Sequence, residues 1–443
     1  MLALRKEIEA LPTLRRFGRV ARIEGLLVEV TGAAGSVSLG GMLSLENPRG
    51  KRIPCEVVGF RDGRALAMPL GTLDGITLGA RADFFDAPAA IYPTKAWLGR
   101  VLNGFGEAMD GKGPLPQGPE AYPLKRSAPI AHTRARVGRK LDLGVRALNT
   151  FVTCCQGQRM GIFSGSGVGK STLMAMLARF SDADAIVIGL VGERGRELKE
   201  FIEDDLGPEG LARSVVVAAT SDEPALVRRQ SAYVAMAVAE QLRDQGLNVL
   251  LLMDSVTRFA MAQREVGLSA GEPPATKGYT PTVFAELPRL LERAGPGEEG
   301  KGGSITGLFT VLVEGDDHNE PVSDAVRGIL DGHIVLERAI AERGRFPAIN
   351  VLRSVSRAMP ACNTPEEQQI VAKARQNMAS YDDMAELIRL GAYKNGTNPE
   401  VDAAILLNPK LEAFLAQKKN ERATLTEGYA SLDTMLAGKG REQ

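Results

Sequence analysis

The run Ser164-Gly165-Ser166-Gly167-Val168-Gly169-Lys170-Ser171-Thr172 has the residue types and spacing of a polyphosphate cradle. It follows an apolar strand segment, Met160-Gly161-Ile162-Phe163, and opens an apolar helical run, Leu173-Met174-Ala175-Met176-Leu177. In that strand–loop–helix setting, glycines let successive backbone N–H groups turn toward one anion. The helix N-terminus adds partial positive charge. Lys170 is expected to reach the β- and γ-phosphates, and the Ser171 hydroxyl to ligate Mg²⁺. Gly165, Ser166, Gly167, Val168, Gly169 and Thr172 complete the nucleotide-binding set. The strict pattern has glycine where this chain has Ser164. A small residue there costs little, because the cradling amides lie further along.

Two carboxylates and two arginines are candidates for the chemistry around that phosphate. Asp254 ends the run Val249-Leu250-Leu251-Leu252-Met253. At the carboxyl edge of a parallel sheet it would face the crevice of the P-loop and hold the Mg²⁺ shell through water. A hydrophobic run ending in Asp is common, so its weight comes from the P-loop upstream. Glu193 follows the strand Ala185–Gly192, in Gly192-Glu193-Arg194-Gly195-Arg196-Glu197. A carboxylate there can orient and polarise an attacking water. Arg194 could steady the terminal phosphate, whereas Glu197 and Glu200 read as a solvated helix start. Arg357 closes the segment Phe346-Pro347-Ala348-Ile349-Asn350-Val351-Leu352-Arg353-Ser354-Val355-Ser356, which keeps no helical period and reads as crossing a surface. It is a candidate arginine finger, set against the ordinary reading of a surface salt bridge.

These groups need a scaffold, and the chain supplies three textures. Residues 18–92 hold short β-type runs, punctuated by Thr31-Gly32, Asn47-Pro48, Asp62-Gly63 and Asp74-Gly75, which suggest a small barrel or sandwich. Residues 93–360, after a connector rich in Pro and Gly at 111–119, alternate strands with helices. Strands are expected at 159–163, 185–191, 215–219, 249–253 and 305–313, and helices at 170–180 and 223–245. Continuous apolar strands separated by helices imply a parallel sheet covered on both faces. Residues 361–443 read as helical, with a capping box at Thr364-Pro365-Glu366-Glu367 and helix starts at Asn398-Pro399 and Asn408-Pro409. Residues 1–17 carry Leu2, Leu4, Ile8, Leu11 and Leu14 among charges, a frayed terminus or a docking segment.

Composition removes several classes. Fifty-four basic residues balance 54 acidic ones, so no global field favours nucleic acid or an anionic membrane. Cys55, Cys154, Cys155 and Cys362 have no Cys-x-x-Cys spacing and are too few for a disulfide framework; Cys154 and Cys155 read as packed thiols. Three scattered histidines argue against a zinc site. The longest apolar runs are strand-length, and the first residues carry acids without an uninterrupted apolar stretch. A cytoplasmic protein is expected.

At this point the chain resembles the catalytic subunits of F-type and V-type rotary ATPases and, more closely, the hexameric ATPases of bacterial type III protein export. The likeness runs nearly end to end, through 99–107, 157–171, Gly192-Glu193-Arg194-Gly195-Arg196-Glu197, 274–295, 314–336 and 347–356. A small residue at Ser164 is usual in the export branch. The runs Gly165-Ser166-Gly167-Val168 and 286–295 look flagellar rather than injectisome-like. The resemblance implies an N-terminal β-barrel collar, a RecA-like ATPase domain with a parallel sheet, and a helical C-terminal domain. It implies ATP and Mg²⁺, Glu193 as catalytic carboxylate, Arg357 reaching a neighbour's site, and Phe346 packing on adenine. It further implies a homo-hexamer with a stator protein at the extreme N-terminus and a coiled-coil stalk in the pore. Export chaperones and cargo would meet the C-terminal domain, at a peripheral position on the membrane export gate. The alternatives are an injectisome ATPase, a rotary ATPase subunit, catalytic or silent, and a hexameric RNA translocase. Against the last, the N-terminal region of this chain lacks interleaved aromatics on which bases would stack.

Overall fold

The computed structural model describes residues 16–437, apart from 34, 86–88 and 314–319. Six strands, β1 (Phe17–Glu24), β2 (Leu27–Thr31), β3 (Met42–Glu46), β4 (Arg52–Arg61), β5 (Arg64–Pro69) and β6 (Arg81–Phe85), close into a barrel in the order β1-β2-β5-β4-β3-β6. Their period of two sends Val20, Val28, Val30, Leu43, Leu45, Ile53 and Val57 into one interior. The β4–β5 hairpin turns on Asp62-Gly63 with φ of 50° and 73°, as a two-residue turn matched to strand twist requires. Of the two sequence alternatives for this region, the barrel is the one formed. The expected helical segment at the extreme N-terminus lies outside the described residues.

A short ribbon, β7 (Ala90–Ile91) with β9 (Tyr122–Pro123), leads into a nine-stranded sheet. The sheet contains β8 (Val101–Leu102), β10 (Arg159–Ser164), β11 (Ala185–Glu193), β12 (Ser214–Thr220), β13 (Asn248–Asp254), β14 (Gly295–Pro296), β15 (Ser304–Leu312), β16 (Gly332–Leu336) and β17 (Ile349–Ser356). Its order is β17-β16-β10-β15-β13-β11-β12-β8, with β14 paired to β15. The central strands are parallel and buried along nearly their whole length, because helices cover both faces. Ile186 and Ile188 pack with the helix Lys170–Phe180, whereas Ala185 and Val187 pack with the helix Ala225–Asp244. The segment 349–356, expected only to cross a surface, is an antiparallel edge strand. Its apolar residues alternate inward at Ile349 and Val351, a half-buried pattern too short to stand out in the sequence.

Three long helices follow, Pro365–Arg389, Pro399–Leu415 and Leu425–Leu436. The first opens on the Thr364–Glu367 capping box. Phe414, Leu415 and Leu432 share the core of the first sheet face, and the Phe414 ring meets Phe151 edge-on at 6.3 Å. Asn408-Pro409, expected to start a helix, lies instead inside Pro399–Leu415. A proline there forfeits one helical hydrogen bond. Burial of Leu411, Phe414 and Leu415 beyond it holds the helix together. Cys55, Cys154 and Cys155 are buried thiols and Cys362 is partly buried. Among the described residues no helix is long and apolar enough to cross a membrane.

Candidate active site

Strand β10 delivers the chain to the P-loop and the helix Lys170–Phe180 carries it away. Gly169 is the helix N-cap with φ 89°, and Gly167 has φ 76°, so the turn needs left-handed backbone at both. Gly169 has no side chain to cap the first turn, which leaves the helical N–H groups facing the cavity. Ser164 is buried at the end of β10, its carbonyl accepting from the Val313 N–H at 3.0 Å. A cavity of about 630 Å³ lies over the loop. Ser164 through Gly167, Gly169 through Thr172, Glu193 and Arg194 all line it. Val168 is buried beneath.

The charged centre is compact. The Lys170 ammonium lies 2.5 Å from Asp254 Oδ1 and 3.8 Å from Glu193 Oε1. Asp254, at the end of β13, also accepts from the Thr310 hydroxyl at 2.7 Å. Glu193 ends β11 at a register shift against β12, a local bend that turns its side chain out of the pleat. Its Oε1 is buried without a hydrogen-bond partner. Burial, reinforced by the Asp254 charge, pushes its pKa up to about 7, and Lys170 and Arg258 only partly oppose the rise. A carboxyl that titrates near neutrality and keeps one oxygen unbonded suits a group that must engage a water or a proton.

Three polar residues of the cavity wall were missed in the sequence. Arg258 and Thr257 belong to the helix Val256–Ser269 that follows Asp254, and Arg338 donates to the Ser166 carbonyl at 3.3 Å. Gly192, with φ 70°, lets the β11 end pass the Arg258 side chain, where an added Cβ would sit 3.3 Å from Arg258 Cβ. The only sequence signal for Arg258 was its place one helical turn beyond Asp254. Arg194 stands at the cavity mouth, its side chain 78% exposed and paired with Glu197 at 3.4 Å.

Two residues lie apart. Phe346 is exposed beside the P-loop, its Cδ1 at 3.4 Å from where a Cβ on Gly169 would be. Arg357 is not brought to the cavity. Ile349 pairs with Leu336, whose neighbour is Ser164, whereas Ser356 pairs with Gly332 at the opposite end of the sheet. Arg353, Val355 and Arg357 therefore face outward along an exposed edge strand, away from their own P-loop.

The residues suit a Mg²⁺ ion held mainly by nucleotide phosphates. Such an ion takes few protein oxygens. Here Ser171 lines the cavity, Asp254 is buried behind Lys170 off the cavity wall, and Glu193 Oε1 is unbonded. Among the described residues no cluster of three or more His, Cys, Asp or Glu could form an all-protein metal cage.

A P-loop on a parallel sheet, with two strand-end carboxylates beside its lysine, defines a nucleoside-triphosphate-hydrolysing enzyme of the RecA-like class. The family model for the ATP synthase alpha/beta nucleotide-binding domain matches residues 144–356, and that for the T3SS EscN ATPase C-terminal domain matches 363–434. The flagellum-specific ATP synthase of Caulobacter vibrioides is 59% identical over 98% of this chain and 99% of its own. That of Bacillus subtilis is 49% identical over 97% of each chain. The solved structure of assembled EscN with its central stalk EscO, from the enteropathogenic E. coli type III secretion system, superposes with a TM-score of 0.86. It is 38% identical and covers 95% of this chain and all of that one. The chain belongs to the flagellar type III export ATPases, within the ATP synthase alpha/beta family.

Proposed function

We propose that this ATPase energises flagellar export by a water attack on the γ-phosphate, carried out in a ring of identical subunits. The observation that carries the mechanism is Glu193, poised near neutrality beside Lys170 with its Oε1 unbonded. In this reading the P-loop amides from Gly165 to Thr172 cradle the phosphates and Lys170 leaves Asp254 for the terminal phosphate. Glu193 orients the water and takes up its proton. Ser171 and, through water, Asp254 would hold Mg²⁺, which when bound neutralises charge on the phosphate oxygens. Arg194 and Arg258, which line the cavity, would steady that charge, and Phe346 would pack on adenine.

The outward Arg357 supports a role across a subunit boundary, since its own P-loop lies at the other end of the sheet. EscN is described as assembled and as bound to a central stalk, and we extend a homo-hexamer and a stalk partner to this chain. A stator at the N-terminal segment and chaperone–cargo at the C-terminal helices complete the reading. It works in the cytoplasm, peripheral to the membrane export gate, without nucleic acid.

Steady-state ATP hydrolysis against protein concentration, with and without Mg²⁺, tests this. Specific activity should rise steeply with concentration and vanish without Mg²⁺ or in Glu193→Gln. Activity independent of concentration would remove the shared site, and normal turnover in Glu193→Gln would remove the carboxylate's role.

A further inference from the structure

The Phe346 ring rests against the P-loop, yet its backbone is held by the C-terminal helices. The Phe346 carbonyl accepts from the Gln417 N–H at 2.9 Å. Gln417 is buried just beyond the helix Pro399–Leu415, and its side-chain amide is fully used. It accepts from the Arg146 N–H at 2.8 Å and donates to the carbonyls of Gly144 at 2.8 Å and Glu421 at 2.7 Å. On the other side of Phe346 stands Arg345, buried, with its guanidinium turned back onto the same strand. It donates to the carbonyls of Pro347 at 3.4 Å and Ile349 at 3.1 Å. Its Nε faces Glu412 Oε2 at 2.8 Å, an ion pair rather than an aligned hydrogen bond. Glu412 comes from the helix Pro399–Leu415.

Both flanks of one aromatic residue are thus tied to one C-terminal helix and its exit. An exposed aromatic ring on a loop would ordinarily sample several positions. A stacking platform must keep its plane, and fixing it beforehand spares the ligand that ordering cost. We propose that Glu412, through Arg345, and Gln417 are positioning residues that set the Phe346 ring for the nucleobase, so that the C-terminal helices tune affinity for the base rather than for the phosphates. The inference rests on the reading of Phe346 as the base-stacking residue. Neither Glu412 nor Gln417 touches the phosphate cavity, which separates their effect from that of Lys170 or Glu193.

Glu412 is 45% exposed at the wall of a separate cavity of about 350 Å³, so its replacement removes no core packing, and Arg345 keeps its two carbonyl partners. The test compares wild type, Glu412→Ala, Phe346→Ala and the double variant in full-length protein. KM and kcat for ATP are read beside the inhibition constant of inorganic tripolyphosphate, which has no base. Glu412→Ala should raise KM about three- to tenfold with kcat held, in the lower part of the range that coupling between contacting residues spans. Tripolyphosphate inhibition should not change, and the double variant should be no worse than Phe346→Ala alone. A parallel loss of tripolyphosphate affinity, or effects that add in the double variant, would overturn the positioning role while leaving Phe346 on the base. An unchanged KM in Phe346→Ala would overturn the stacking reading and the inference with it.

Discussion

The Lys170 ammonium is held 2.5 Å from the Asp254 carboxylate, across the ends of β10 and β13. The P-loop lysine is therefore neutralised by a buried carboxylate that itself leans on Thr310. A triphosphate entering the cavity must outbid that pairing, and it brings more negative charge than one carboxylate. Removing the lysine leaves the Asp254 and Glu193 carboxyls side by side with no ammonium between them. Lys170→Ala should lower turnover by about 10²–10³, the usual loss of one group that stabilises transition-state charge. Nucleotide binding, read by fluorescence of a labelled ADP, should weaken in the same variant. Unimpaired binding would mean that the loop amides alone hold the phosphates.

Glu193 makes a prediction about pH. Its carboxyl titrates near 7 because burial and Asp254 disfavour its charge. The base must be ionised to receive a proton, so kcat/KM for ATP should fall as pH drops through about 7, a limb that reports the free enzyme. The same shift has a stability sign. A folded-state pKa above the unfolded value of 4.5 means the folded protein holds the extra proton between the two, so stability falls as pH rises through that window. Glu193→Gln should therefore raise the melting temperature more at pH 8 than at pH 5. An equal effect at both would place the titration elsewhere.

How much of this was legible before the fold was known follows from the range of the signals. The P-loop, Asp254 and Glu193 are each written locally, as a strand, a turn and a polar residue at its end. The parallel sheet turned those three strand ends to one side, as their order implied. Arg258 and Arg338 could not be read so, because their side chains reach the cavity across the fold from helices with no motif of their own. The strand at 349–356 was hidden for a similar reason. At a sheet edge, with Arg353 and Val355 outward, its pattern is set by what it pairs with rather than by its own composition. Asn408-Pro409 misled in the opposite direction, since packing of Phe414 and Leu415 carried one helix straight through a local helix-start signal.

The barrel is fastened to the ATPase domain by a buried ion cluster. Glu56 of β4 lies 2.5 Å from the Arg229 guanidinium and 2.6 Å from the Lys125 ammonium. Burial alone would raise the Glu56 pKa, but Arg229 and Lys125 outweigh it and hold it below the ordinary value. Arg229 is itself buried, so Glu56→Ala leaves a cation in the domain boundary without its carboxylate. Chemical denaturation should show a loss of about 3–5 kcal/mol, as for breaking one partner out of a buried pair. Glu56→Ala combined with Arg229→Met should recover part of that loss, because no lone charge remains. A double variant less stable than the single one would assign the effect to packing.

Arg357 supplies the prediction that separates a ring from a self-sufficient subunit. It is exposed just past the Ser356 end of β17, with its backbone N–H donating to the Asp331 carbonyl at 2.9 Å, at the sheet end opposite the P-loop of its own chain. Arg357→Ala should keep nucleotide binding to the monomer and lose hydrolysis by about 10³, the low end for an arginine finger. Lys170→Ala should be inactive for a different reason, a broken P-loop with an intact arginine. In a mixture of the two, some boundaries join a Lys170 site to a neighbour's Arg357, and those boundaries should hydrolyse ATP. Activity of the mixture should exceed the sum of the parts and peak near equal proportions. A mixture no more active than its components, under conditions where the two co-assemble by size exclusion, would show that Arg357 does not complete a neighbour's site.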